Sequence, residues 1–256
     1  MKQSQSRWHF AMIWALRHAG LSLAVATLAA ILVYQFWYPM PYRAMLGVGG
    51  IFVVLLCVDV VCGPLLTLLL ASPRKSGLEM TLDLTVIGAI QAAALVYGLH
   101  AVWIGRPVVL AFERDRMTVV SANEIESTDL PAAPAEFRQL PFGGILQVAT
   151  RKPKDNTEFI QSIDLSLAGL PPAMRPAWWQ PMRTQQEQMR TVAKPLTELV
   201  ARRPEQADEL RIAAAKSGYS VEALSYLPLT SSKTKDWVAF FNDSMEMVGH
   251  APVDGF

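Results

Sequence analysis

Two cysteines in 256 residues are too few to brace a fold, and their positions exclude even a single bridge between them. Cys57 and Cys62 lie in one apolar run, and five residues of helix rotate the chain by about 140° beyond a full turn, so the thiols diverge. A disulfide or a shared metal needs them to converge, so both are read as apolar packing residues. No cysteine lies beyond that run, which is compatible with an oxidising compartment. The four histidines, His9, His18, His100 and His250, are too scattered to build a metal site. Also missing are a Gly-rich phosphate loop, His-Glu-x-x-His, Gly-x-Ser-x-Gly and Cys-x-x-Cys. The expectation is a protein that is not an enzyme and carries no cofactor and no metal. No basic stripe interleaved with aromatics is present, which argues against nucleic acid as a partner.

Charge is missing from three long stretches. None occurs from Ala19 to Trp37 or from Leu84 to Ile104, and from Ala44 to Ser72 the only charge is Asp59. Each stretch reaches the ~20 residues that cross about 30 Å of hydrocarbon. The sequence therefore predicts a membrane protein, a three-helix transmembrane bundle followed by a small α+β soluble domain. The divisions are an interfacial N-terminal segment at 1–18, spans at 19–38, 44–71 and 82–104, and a soluble domain at 106–256. An uncleaved anchor is expected in place of a signal peptide, because the first run ends in Phe36-Trp37-Tyr38-Pro39, bulky where cleavage needs small residues.

Lys and Arg placement orients this arrangement. The N-terminal segment and the Arg74-Lys75 turn share one side and hold five basic residues, whereas the link between the first two spans holds only Arg43. By the positive-inside rule the N-terminus is cytoplasmic and everything after Gly105 emerges on the far side, the periplasm of a bacterium.

What stands out among the apolar residues is Val58-Asp59-Val60-Val61-Cys62-Gly63-Pro64-Leu65-Leu66-Thr67. An ionisable group at mid-membrane costs roughly 2.5–3.5 kcal/mol on insertion scales, so it faces protein or water. Pro64 frees the carbonyl of Val60, and Gly63 lets another backbone come close. At 1.5 Å per residue Asp59 lies about 18 Å in from the Arg74-Lys75 turn and Gln91 about 16 Å, so the two could hydrogen-bond across the helix pair. Asp59 has three readings: an internal structural role with Gln91, a receiver for a polar group on a partner's membrane helix, or a proton-handling group. Asp83 either pairs with Arg74 or Lys75 or caps the third span. Gly88, Ala89, Ala92 and Ala93 are expected to permit close helix packing.

In the soluble part, Val108–Phe112 and Met117–Val120 read as a hairpin turning through Glu113-Arg114-Asp115-Arg116. Gly144–Ala149 reads as a further strand, Met182–Arg203 as a helix broken by Pro195, Pro204–Lys216 as a helix stopped by Gly218, and the C-terminal runs as closing strands. The stretch from Gln161 to Leu170 has no readable period. Arg106, Asp115 and Arg116 suggest a salt-bridged junction near the membrane or a contact for a partner. Trp178-Trp179, set among prolines, fits either burial in the domain or insertion among headgroups.

The order Trp37-Tyr38-Pro39-x-Pro41, Val58-Asp59-x-x-x-Gly63-Pro64-Leu65-Leu66-Thr67, Asp83, Gln91, Ala94-Leu95-x-Tyr97-Gly98-Leu99, Arg106-Pro107-Val108 and Phe112-x-x-Asp115-Arg116 resembles the TfpX/TfpZ type IV pilin accessory proteins. The likeness covers roughly residues 19–120. Beyond it only Leu140-Pro141-Phe142-Gly143 and Arg175-Pro176 are similar, and Tyr42-Arg43 departs from the more apolar pair expected there. The resemblance implies an inner-membrane, non-enzymatic protein that assists pilin stability or assembly. Partner-binding residues would be drawn from Asp59, Gly63, Pro64, Asp83, Gln91, Arg106, Asp115 and Arg116, with a type IV pilin subunit and the lipid bilayer as partners and homo-oligomerisation left open. The competing readings are a small transport or proton-relay component using Asp59, and a sensor that lacks an output domain.

Overall fold

The computed structural model describes residues 2–256, with the side chains of residues 2–6 and 51 left aside, and divides the chain into two compact units. The first comprises Met1–Trp37 and Gly47–Ile104, the second Tyr38–Leu46 and Gly105–Phe256.

In the first unit, α1 (Lys2–Ile31) runs without a break and ends in a π-helical turn, Leu32–Trp37. The interfacial segment and the first span are thus one helix, because nothing between Arg7 and Trp37 interrupts it: Gly20 is a lone glycine and there is no proline. A short helix, α2 (Tyr42–Leu46), belongs to the other unit, and the second long helix, α3 (Val48–Leu70), begins four residues later than the apolar run, after Gly47 in a left-handed conformation. It continues through Pro64. The third, α4 (Gly77–Ile104), starts on a capping box in which the Ser76 amide donates to the Glu79 carboxylate at 2.8 Å and the Glu79 amide to the Ser76 hydroxyl at 3.3 Å. All three long helices are long and apolar enough to cross a membrane. They expose Leu, Val and Ile along most of their length, as lipid-facing surfaces would.

Helix α3 is central, since α1 and α4 both pack along it, and Ala11 of α1 and Met80 of α4 also share a small apolar cluster with Ala71. One end of the unit is basic, with Arg7 donating to the Leu69 carbonyl at 3.2 Å, where a cation suits a helix C-terminus, and Lys75 paired with Asp83. Aromatic pairs Tyr34–Phe52 and Trp37–Trp103 meet edge to face toward the other end.

The second unit is built on a mixed sheet. Strand β1 (Pro107–Glu113) forms the expected hairpin with β2 (Arg116–Ser121), and β3 (Leu146–Thr150) lies parallel to β1. Helix α5 (Asn156–Leu167), capped by Asp155, occupies the stretch whose period was unreadable. Then come β4 (Trp179–Pro181), α6 (Gln186–Val192), β5 (Lys194–Pro195), α7 (Leu196–Arg202), α8 (Ala207–Lys216), β6 (Ser225–Ser231), β7 (Trp237–Phe241) and β8 (Met247–Ala251). The order is β4-β3-β1-β2-β6-β7-β8, with β5 paired to β6. The period of two explains the burial of both faces. Val109, Ala111 and Val120 face a cluster with Phe137 and Trp179, while Leu110, Phe112, Val119, Leu227 and Phe241 face Met189 of α6. Tyr226, Val238 and Phe240 pack under α7 and α8.

Two residues of the link between the first two apolar helices join this core. Tyr42 and Met45 of α2 are 7% and 2% exposed and pack with Leu110, Phe112, Leu227 and Phe241. Burying such side chains is worth about 1.5–3 kcal/mol each. The segment that reads in sequence as a mere turn is therefore a structural part of the C-terminal domain.

Candidate functional site

The polar residues of the helical unit converge at mid-helix. Gln91 of α4 reaches α3, but its Nε2 donates to the main-chain carbonyl of Asp59 at 2.7 Å and not to the carboxylate. Its Oε1 meets His18 Nε2 of α1 at 2.7 Å, and His18 Nδ1 lies 2.6 Å from the Thr67 hydroxyl of α3. One chain of hydrogen bonds thus ties all three long helices together.

Its polarity follows from what each group can do. A carbonyl can only accept, so the amide nitrogen of Gln91 must face Asp59 and its oxygen must face His18. His18 Nε2 then carries a proton, and in the neutral ring Nδ1 accepts from the Thr67 hydroxyl. Gly63 makes room for this arrangement: a Cβ there would overlap the Gln91 carboxamide. In the same way Gly98 makes room for Leu55. The small residues that seat α4 on α3 are therefore Gly63 and Gly98, whereas Gly88 has nothing within 4 Å of where a Cβ would stand.

Asp59 itself is 8% exposed. Its side chain borders a cavity of about 170 Å³ between α1 and α4, walled by Ser22, Val25, Ala26, Gly88 and Ala92, with His18 and Gln91 at one side. Among the described residues no hydrogen bond or ion pair reaches its carboxylate.

The remaining sequence-predicted site residues are placed elsewhere. Gly63 and Pro64 lie on the α3 side of the Gln91 contact and do not line the cavity. Asp83 pairs with Lys75 near the start of α4. Arg106, buried just before β1, donates to the Pro141 carbonyl at 3.0 Å, and burial pushes the neighbouring Tyr38 phenol well above its ordinary value. Asp115 and Arg116 pair with each other at 2.9 Å in the hairpin turn, and the Arg116 guanidinium stands 4.8 Å above the Phe256 ring. Seven residues of β1 separate this turn from Arg106, about 23 Å at a strand's rise, so the three do not form a single junction. Trp178 and Trp179 are buried in the domain. The Trp178 ring lies 4.4 Å from the guanidinium of Arg151 and 4.4 Å from that of Arg175, and the Trp179 indole donates to the Ala173 carbonyl at 2.9 Å.

Sequence reasoning missed His18, Ser22 and Thr67. Ending the membrane helix at Ala19 set His18 outside it, and a depth count from the aromatic end at Trp37 would have returned it to the bundle.

Residues 6–47, which carry His18, Ser22 and the α2 segment, match the family "Fimbrial assembly protein FimB". Over 240 residues, 93% of this chain and 93% of the relative, the sequence is 33% identical to "Fimbrial assembly protein, serogroup I" of Dichelobacter nodosus. The chain belongs to the fimbrial assembly protein family. A second member from the same organism, serogroup E1, is 32% identical over the same share of both chains. The protein of serogroups C1 and C2 is 40% identical over 116 residues, 45% of this chain and 88% of that one. No solved structure matches. Membership in this family supports a role in fimbrial biogenesis and fits the three apolar helices to a bacterial membrane.

Proposed function

We propose that this family member is an inner-membrane accessory protein of type IV pilus biogenesis, of the TfpX/TfpZ kind, that binds the pilin subunit and holds it before assembly. It acts as a chaperone-like binding protein and not as an enzyme, needs no cofactor, and works with its N-terminus in the cytoplasm and residues 106–256 in the periplasm. The observation that carries this reading is the Asp59 cavity, a buried carboxylate at mid-helix opening between two apolar helices in a fimbrial assembly protein. An apolar partner helix lying across α1 and α4 would be held by small and aliphatic side chains and by one polar contact.

A proton relay gains no support from the same residues. The hydrogen-bonded chain ends on the Asp59 carbonyl, not its carboxylate, and its central member is an amide that does not exchange protons in relay.

The test is photo-crosslinking in cells from a probe at Leu95, on the cavity wall. Capture of the pilin subunit is the expected result. Self-crosslinks alone would refute the groove as its binding place and point to an oligomeric bundle.

A further inference from the structure

We propose that the Asp59 cavity recognises one cationic group, an amine or guanidinium, projecting from the membrane-embedded helix of the bound subunit; this rests on the reading just given. Asp59 is more than nine-tenths buried and borders an open space, with no donor reaching its carboxylate among the described residues. A carboxylate out of water needs a charged or donating partner, and a complementary cation is the strongest available. Two other polar side chains at the wall are committed, His18 to Gln91 and Thr67, and Gln91 to the Asp59 carbonyl, and the remaining one, Ser22, is uncharged, so the only charge at the wall is that of Asp59.

The size of the space sets the occupant. About 170 Å³ exceeds what one water needs and is close to the volume of a cavity that takes up benzene, so it fits one side chain and not a helix. Depth sets its source. Asp59 lies eleven residues from each end of α3, about 16 Å at 1.5 Å per residue, roughly half the hydrocarbon thickness. An amine on a lipid headgroup sits at the surface and would have to descend that distance, whereas a residue of a partner's spanning helix is already there. The Gly88 face of the cavity has no Cβ, which leaves a path for such a side chain from the α4 side.

The experiment uses the full chain in cell membranes, co-expressed with the host's pilin subunit, with crosslinking from Leu95 as the readout. Asp59→Asn keeps the shape and removes the charge; it is expected to lower capture about tenfold or more, the scale of losing one member of a buried charge pair. Asp59→Glu should retain most of the capture. Gly88→Phe fills the cavity with Asp59 intact and should also lower capture, at unchanged protein level, so it carries the test if Asp59→Asn proves poorly folded. Capture by the wild type with Asp59→Asn or Gly88→Phe equally effective overturns the cation site and leaves the proposed function standing. A wild type that captures no pilin overturns both.

Discussion

Replacing Gly63 with alanine should be far more damaging than one methyl group implies. The added Cβ falls on the carboxamide of Gln91, which must leave its seat. That ruptures two contacts at once, the bond to the Asp59 carbonyl and the bond to His18. Interhelical hydrogen bonds in membranes average about 0.6 kcal/mol, and forcing a methylene into a packed seam costs typically 1–3 kcal/mol. The sum is about 2–4 kcal/mol. Gln91→Ala alone removes the bonds without the clash and should cost about 1 kcal/mol. In the double variant the obstacle is gone, so Gly63→Ala should add almost nothing to Gln91→Ala, a coupling of about 2–4 kcal/mol. The assay is reversible unfolding of the full chain in detergent or bicelles, carried through the four members of the cycle. Simple additivity of the two substitutions would refute the Gly63–Gln91 contact and with it the account of how α4 is seated on α3.

Other outcomes follow from the C-terminal domain. Tyr42→Ala or Met45→Ala, each in the link between two apolar helices, should destabilise the sheet domain by about 2–4 kcal/mol, read by fluorescence of buried Trp178 and Trp179; an unchanged domain would separate α2 from the core. Glu158 accepts from Arg151 at 2.6 and 2.8 Å and is held at about 2; its contribution is full above an ordinary glutamate pKa near 4.3 and is lost as pH falls toward 2, so Glu158→Gln should flatten acid unfolding in that window. Burial pushes Glu113 up despite the arginines nearby, so its native form favours the proton and its ionised form is a burden that grows as pH rises through that raised value. Glu113→Gln should therefore raise the melting temperature at pH 8 and change little at pH 4.

The apolar helices were legible because hydrocarbon demands length and absence of charge, and both can be counted along a chain. The β1–β2 hairpin was legible from the contrast of Val-Val-Leu-Ala-Phe with Glu-Arg-Asp-Arg. Asp59 and Gln91 were placed at matching depth, yet depth does not say which end of an amide turns where, and the bond goes to the backbone. That choice is made by the Asp59 carbonyl, which can only accept, and the amide oxygen is left for His18, which was set outside the bundle. Helix α5 escaped because its apolar residues, Phe159, Ile160, Ile163 and Leu167, remain exposed, so burial imposes no period on the rest. Trp178 between Arg151 and Arg175 unites positions 24 residues apart in sequence, a pairing that only the sheet creates.

The packing of α2 bears on membrane topology without any count of charges. Tyr42 and Met45 sit in the core formed by β1, β2, β6 and β7, so residues 38–46 and the domain after Gly105 must occupy the same compartment. Between them the chain passes through α3 and α4. If one of those helices crossed a bilayer and the other did not, the link and the domain would be parted and the core could not close. Crossing must be by both or by neither, and α3, with a single charge in 23 residues and with Val54, Val58, Val61, Leu65 and Leu69 exposed, is long and apolar enough to cross. The positive-inside rule arrives at the same pairing of sides from Lys and Arg alone. The sheet core thus requires that α3 and α4 cross a bilayer as a pair or not at all.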